Sequence, residues 1–165
     1  MNWLSKQQRT GLDGEEWALS ELISQGYQAE FYTNFFLEQR DIKIAGCLAC
    51  EVKTARQNQT KRRTKTGNVF VYPSWRWDVS KVTYPDSVLI LIAIDNLGLH
   101  HPFIMPSAIM AERGYVHLTS HPNDYGGYFS QYLNHWPTVD YLLNQSYRDG
   151  GQLNILEYFG MEVTA

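Results

Sequence analysis

The stretch that most constrains this chain is DIKIAGCLACEVK, residues 41–53, because it alternates like a half-buried strand yet carries charge where a core strand should not. Asp41, Ile42, Lys43 and Ile44 alternate polar and apolar, Gly46 offers a residue that tolerates a bend, and Leu48 begins a return strand that ends in Glu51, Val52 and Lys53. A three-residue loop at 45–47 pairs Ile44 with Leu48 and Ile42 with Cys50, and it sets Asp41 opposite Glu51. One face then holds Ile42, Ile44, Leu48, Cys50 and Val52, and the other gathers Asp41, Glu51 and Lys53. A two-residue loop would scatter the acids, since a slip of one residue turns every side chain over. Opposed Cβ atoms stand roughly 4.5–5.5 Å apart. Two carboxylates so close need a cation between them. Lys53 is one candidate, and a hard divalent ion such as Mg²⁺ or Mn²⁺ is another. A solvated salt-bridge cluster on an exposed hairpin is the alternative.

The rest of the chain frames that hairpin. At 165 residues, with 44% hydrophobic and 14% aromatic content, it suits a single domain with a real core. It has no apolar run long enough to span a bilayer, and its first residues, MNWLSKQQRTG, lead into no apolar stretch of a secretory signal. A cytoplasmic protein is expected. Cys47 and Cys50 have Cys-x-x-Cys spacing, but across a bend and into a strand, which points to structural cysteine rather than a redox or zinc motif.

Ser5 and Gln8 form a capping-box pattern that opens a helix running to about Gln25, with Gly26 as terminator. Gly11 and Gly14, nearly one turn apart, suggest a close approach to the helix backbone. Glu15, Leu19 and Leu22 share a face with Ala18, so Glu15 lies on the core-facing stripe, where an unpaired carboxylate is costly. Glu16 falls on the polar face with Asp13 and Ser20. A strand is expected at 27–33. Residues 55–67 read as a polar, basic loop or mobile arm, 68–72 as a strand, and 73–83 as a segment interleaving Trp75, Arg76 and Trp77, its tryptophans either core or exposed for stacking on bases. Residues 87–94 read as a strand buried on both faces and 99–105 as its partner across a turn at 95–98. A short helix at 106–113, a strand at 116–119, a turn at 123–127, helices at 128–135 and 137–145 and a last element at 153–159 complete the reading. The five histidines have no ligand spacing such as His-x-x-x-His and receive no role.

Charge is uneven along this chain of net charge −3. Residues 53–81 hold eight of the fourteen basic residues and a single acid, Asp78, whereas from Asp86 onward Arg113 and Arg148 face eight acids. A basic segment directly after an acidic site is the footprint expected where a polyanion is held. A solvated loop is the plainer alternative.

The ordered set of Gly11-x-x-Gly14-Glu15 on a helix, Gly26-Tyr27 at its end, a strand, Asp41-Ile42 and Glu51-x-Lys53 resembles the PD-(D/E)xK nuclease superfamily, and within it small Holliday junction resolvases and related short endonucleases. The likeness covers residues 9–55 well, the later strands loosely, and the tail from about 120 not at all. The proline that often precedes the first acid is Arg40 here.

The resemblance implies an α/β, restriction-endonuclease-like mixed β-sheet flanked by helices over residues 1–120, with 121–165 as a C-terminal extension packed on that core. It also implies Mg²⁺-dependent or Mn²⁺-dependent cleavage of DNA phosphodiesters and a homodimer. Asp41, Glu51, the Val52 carbonyl and Glu15 would hold the metal, directly or through water for Glu15. Lys53 would act on the attacking water and the transition state. Arg40, Arg56, Lys61, Arg62, Arg63, Lys65 and Arg76 would contact DNA. A site-specific endonuclease of the restriction or intron-encoded homing type would show the same motifs. A nuclease-fold protein that binds DNA without cutting is the other alternative, one that loss of a catalytic position would favour, whereas Asp41, Glu51 and Lys53 are all present.

Overall fold

The computed structural model describes residues 5–31, 42–82 and 86–148. Helix α1 (Lys6–Ser24) begins as its cap residues dictate. The Ser5 hydroxyl accepts from the Gln8 amide at 3.2 Å, and the Ser5 amide donates back to Gln8 Oε1 at 2.9 Å. It ends in a Schellman motif. Gly26 takes φ +93°, its N–H bonds to Ile23 O at 3.0 Å, and the Tyr27 N–H bonds to Leu22 O at 3.1 Å.

Strand β1 (Ala29–Phe31) pairs antiparallel with β2 (Ile42–Ile44), which returns as β3 (Leu48–Arg56). The hairpin has the register its apolar pattern demands, Ile44 opposite Leu48 and Ile42 opposite Cys50. Its loop turns through two left-handed residues, Ala45 at φ 49° and Gly46 at φ 72°. Strand β3 then pairs in parallel with β6 (Val88–Ile94), and β6 pairs antiparallel with β7 (His100–Pro106), giving one mixed sheet in the order β1-β2-β3-β6-β7.

A second sheet, β4-β5-β8, is built from β4 (Asn58–Arg63), β5 (Val69–Asp78) and β8 (Tyr115–Leu118). Here the expectation of a loop at 55–67 is overturned. Residues 55 and 56 complete β3, and 58–63 form a strand laddered to β5 through a tight turn in which the Thr64 N–H meets Asn68 O at 2.8 Å. Strand β4 has no buried residue, so its sequence shows no apolar alternation; backbone pairing alone holds it. The strand expected at 68–72 likewise continues through Trp75-Arg76-Trp77 to Asp78.

Two cores lie on opposite faces of the mixed sheet. Ala18 and Leu22 of α1, with Val139 and Leu142 of helix α2 (Pro137–Ser146), pack on Ile42, Ile44, Cys50, Val52, Ile90 and Ile92. Trp75, Trp77, Val116 and Leu118 of the second sheet, with Phe129, pack on Leu89, Leu91, Phe103 and Met105. Every residue of β6 is buried, as its unbroken apolar run requires. The short helices expected at 106–113 and 128–135 are single 3-10 stretches, Ser107–Met110 and Tyr128–Tyr132, and the 123–127 turn contains a third, Pro122–Asp124. The element expected at 153–159 lies outside the described residues. Among the described residues no helix is long and apolar enough to cross a membrane.

Candidate active site

Strand alternation turns Glu51 and Lys53 to the face of β3 that carries Leu89 and Leu91 on its neighbour, toward the second sheet. Glu51 is only 3% exposed, and a buried carboxylate is costly without a cation. Lys53 Nζ stands 2.8 Å from Glu51 Oε1, on a side chain that is 33% exposed. The pair thus joins a nearly dry carboxylate to a cation that opens to solvent. Asp78, at the end of β5, is held below the usual carboxylate range by bonds from the Ser80 hydroxyl and N–H, against burial and with help from the Lys53 charge. It is an acid near Lys53 that nothing in its sequence surroundings marks. Asp41 and Arg40 lie outside the described residues, one position and two positions before β2.

Helix α1 covers the opposite face of β3. A Cβ built on Gly14 would fall onto the Thr54 hydroxyl, so glycine is what lets helix and strand meet. Gly11 makes no such approach. The buried stripe of α1 is Gly14, Ala18 and Leu22, with Glu15 and Leu19 half-buried along its edge, which corrects the expectation that Glu15 lies within the stripe. Because α1 packs on the Cys50, Val52 and Thr54 face, Glu15 belongs to a different layer from Glu51 and Lys53. Glu16 is exposed, as its helical position requires. The Val52 side chain is core.

The basic residues divide into three settings. Arg56, at the end of β3, is tied to α1 by an ion pair with Asp13 at 2.9 Å and a bond to Thr10 Oγ1 at 3.1 Å. Arg76 stands exposed on β5 with its guanidinium 4.4 Å from the centre of the Tyr115 ring. Both line an open, polar cleft of about 640 Å³ between the start of α1 and the second sheet, together with Lys6, Asn58, Thr60 and His117. Lys61, Arg62 and Arg63 lie exposed along β4 and Lys65 in its turn. Trp75 and Trp77 are buried, their indole N–H groups donating to Ile94 O and Ile92 O, which settles their role as core rather than base-stacking platforms.

One cluster escaped the sequence altogether. Asp95, His101 and His121 converge so that one ligand atom from each lies within 4.8 Å of the others. No spacing rule reaches it, because two members sit either side of a hairpin turn and the third comes from beyond β8.

A five-stranded mixed sheet with a parallel β3–β6 pair, a helix laid on β3 and the Glu51-x-Lys53 strand at its centre is a restriction-endonuclease-like fold. The solved structure of the bacterial homing endonuclease I-Ssp6803I shares it, with a TM-score of 0.58 and 15% sequence identity over 90% of this chain and 99% of that one. No protein-family model and no curated protein matches the chain by sequence.

Proposed function

We propose that this protein is a metal-dependent, site-specific DNA endonuclease of the homing type. The observation that carries the reading is the buried Glu51 carboxylate with Lys53 at 2.8 Å, seated on the central strand of a restriction-endonuclease-like sheet. The near-complete likeness in extent to a protein described as a homing endonuclease favours this reading over the Holliday junction resolvase reading of residues 9–55.

The donor set fits a small divalent ion. A nearly dry carboxylate that already requires a cation, a backbone carbonyl beside it at Val52, and the carboxylate of Asp41 are all hard oxygen donors. Asp41, Glu51 and the Val52 carbonyl would hold Mg²⁺ or Mn²⁺; Glu15, on the other face of the sheet, is not among the ligands we propose. The ion would polarise the phosphoryl group and acidify a water. Lys53 holds a fixed positive charge where the pentavalent phosphorus gains negative charge. Arg76 and the basic side chains of β4 bind the phosphate backbone, and Arg56 positions α1 against β3. Two copies of the chain would supply one site for each DNA strand.

Cleavage of plasmid DNA with Mg²⁺ tests the reading. Lys53→Ala should cut the rate by about 10²–10³ while metal binding persists. Asp41→Asn should abolish cleavage and leave DNA binding intact. Glu16→Gln should cut normally. Wild-type cleavage by both Asp41→Asn and Lys53→Ala would mean the site is elsewhere. A four-way junction cut in preference to every linear duplex would restore the resolvase reading, and binding without cleavage under all metals would make this a non-catalytic nuclease-fold protein.

A further inference from the structure

Asp95 ends β6 and opens the turn to β7. Its Oδ1 accepts the N–H groups of Leu97 at 2.8 Å and Leu99 at 2.9 Å, so the turn fixes the carboxylate. Its Oδ2 is thereby aimed at His101 Nε2, 2.9 Å away, and at His121 Nε2, 3.7 Å away. The Asp95 and His101 side chains are 6% and 9% exposed, and His121 is 32% exposed.

We propose that Asp95, His101 and His121 form a binding site for a divalent ion of the zinc class, separate from the candidate active site. Two imidazole nitrogens and one carboxylate oxygen are a zinc donor set, whereas Mg²⁺ favours oxygen alone. Donors bound at about 2.0–2.1 Å to a tetrahedral ion stand about 3.3 Å apart. The separations of 2.9 and 3.7 Å bracket that value. His121, the outermost ligand, makes the remaining adjustment. Ligation through Nε2 moves its ring proton to Nδ1, which gives up the 3.3 Å bond from the Asn123 N–H at the protein surface. The backbone bonds on Asp95 Oδ1 are the outer support that metal-binding carboxylates need. The exposed side of His121 leaves the fourth position to water.

Asp95 lies six positions along the chain from Leu89, the partner of Glu51, about 20 Å of extended strand. The ion would staple the β6–β7 turn to the segment that follows β8.

Untagged, chelator-treated, full-length protein is titrated with Zn²⁺ by calorimetry, and with Co²⁺ by visible absorption, whose intense bands report tetrahedral nitrogen and oxygen ligation. One equivalent should bind to wild type and to Glu51→Gln, and Zn²⁺ should raise the melting temperature of both. His121→Gln, at the exposed member, should fold as wild type by circular dichroism yet bind Zn²⁺ at least about tenfold more weakly. Asp95→Asn should lose the Co²⁺ bands. No Zn²⁺ uptake by wild type, or equal affinity in wild type and His121→Gln, would overturn the proposal. So would loss of the ion in Glu51→Gln with retention in His121→Gln, which would assign it to the candidate active site.

Discussion

Gly14 and Gly11 look alike in sequence, but only Gly14 is packed on a neighbour. A Cβ on Gly14 would lie 2.8 Å from the Thr54 Cβ and closer still to its hydroxyl, while a Cβ on Gly11 meets nothing within 4 Å. Alanine is favoured over glycine within a helix by about 0.8–1.0 kcal/mol. Overpacking a tight interface costs about 1–3 kcal/mol. Gly14→Ala should therefore lower the melting temperature and Gly11→Ala should raise it. Thr54→Ala in the Gly14→Ala background should recover part of the loss, because it removes the worst clash and leaves the Cβ pair. Urea titration of the three variants beside wild type gives the signs, and equal effects at the two glycines would mean that α1 does not seat on β3 as described.

At the scale of the element, the β4–β5 hairpin joins the basic run to an apolar one. Lys61 pairs with Val71, Arg62 with Phe70 and Arg63 with Val69, so a cation and an apolar side chain share a face at each step. Val69, Phe70 and Val71 are each about half exposed, which is unusual for three consecutive apolar residues of a strand. A two-stranded ribbon has the width of a DNA major groove. Neutralising Lys61, Arg62, Arg63 and Lys65 together should weaken binding to all duplex sequences alike. It should also flatten the dependence of log affinity on log salt by about 0.9 for each phosphate the variant no longer neutralises. An unchanged slope in a filter-binding or anisotropy series would mean the ribbon is only solvated.

Across the whole molecule, the two helices on one sheet face are tied by Tyr27, whose hydroxyl donates to Asp140 Oδ1 at 2.8 Å. Burial, then that bond and the Asp140 charge, push the Tyr27 phenol up to about 12. Folding thus favours the neutral phenol. Its contribution is fully present below the ordinary tyrosine value of about 10 and is lost as pH rises towards 12. The stability difference between wild type and Tyr27→Phe should shrink over that window in urea titrations at pH 9, 10 and 11, and a constant difference would remove Tyr27 as the cause.

A homodimer is also expected. Of the tyrosines that crowd the tail, Tyr125 and Tyr132 pack on the second core, which leaves the exposed Tyr128 and Tyr141 to serve an interface. Sedimentation of wild type and of Tyr128→Ala/Tyr141→Ala checks this, a monomeric wild-type mass with and without DNA counting against it.

The sequence by itself determined whatever is written in local periodicity or in caps. The Ile42–Ile44 and Leu48–Cys50 register follows from apolar alternation, the limits of α1 from Ser5, Gln8 and Gly26, and the two-sided burial of β6 from an unbroken apolar run. The pairing of Glu51 with Lys53 on one face follows from the same alternation. Tertiary structure alone decided the rest, because its causes are groups distant in the chain. Strand β4 exists through hydrogen bonds to β5, which leave no mark on a segment that buries nothing. Trp75 and Trp77 are core because Ile94 and Ile92 offer carbonyls to their indoles. Glu15 lies at the edge of its helix stripe because Thr54 claims the centre through Gly14. Asp95, His101 and His121 meet because a hairpin turn and the segment beyond β8 close on one another, and no spacing along a chain encodes that approach.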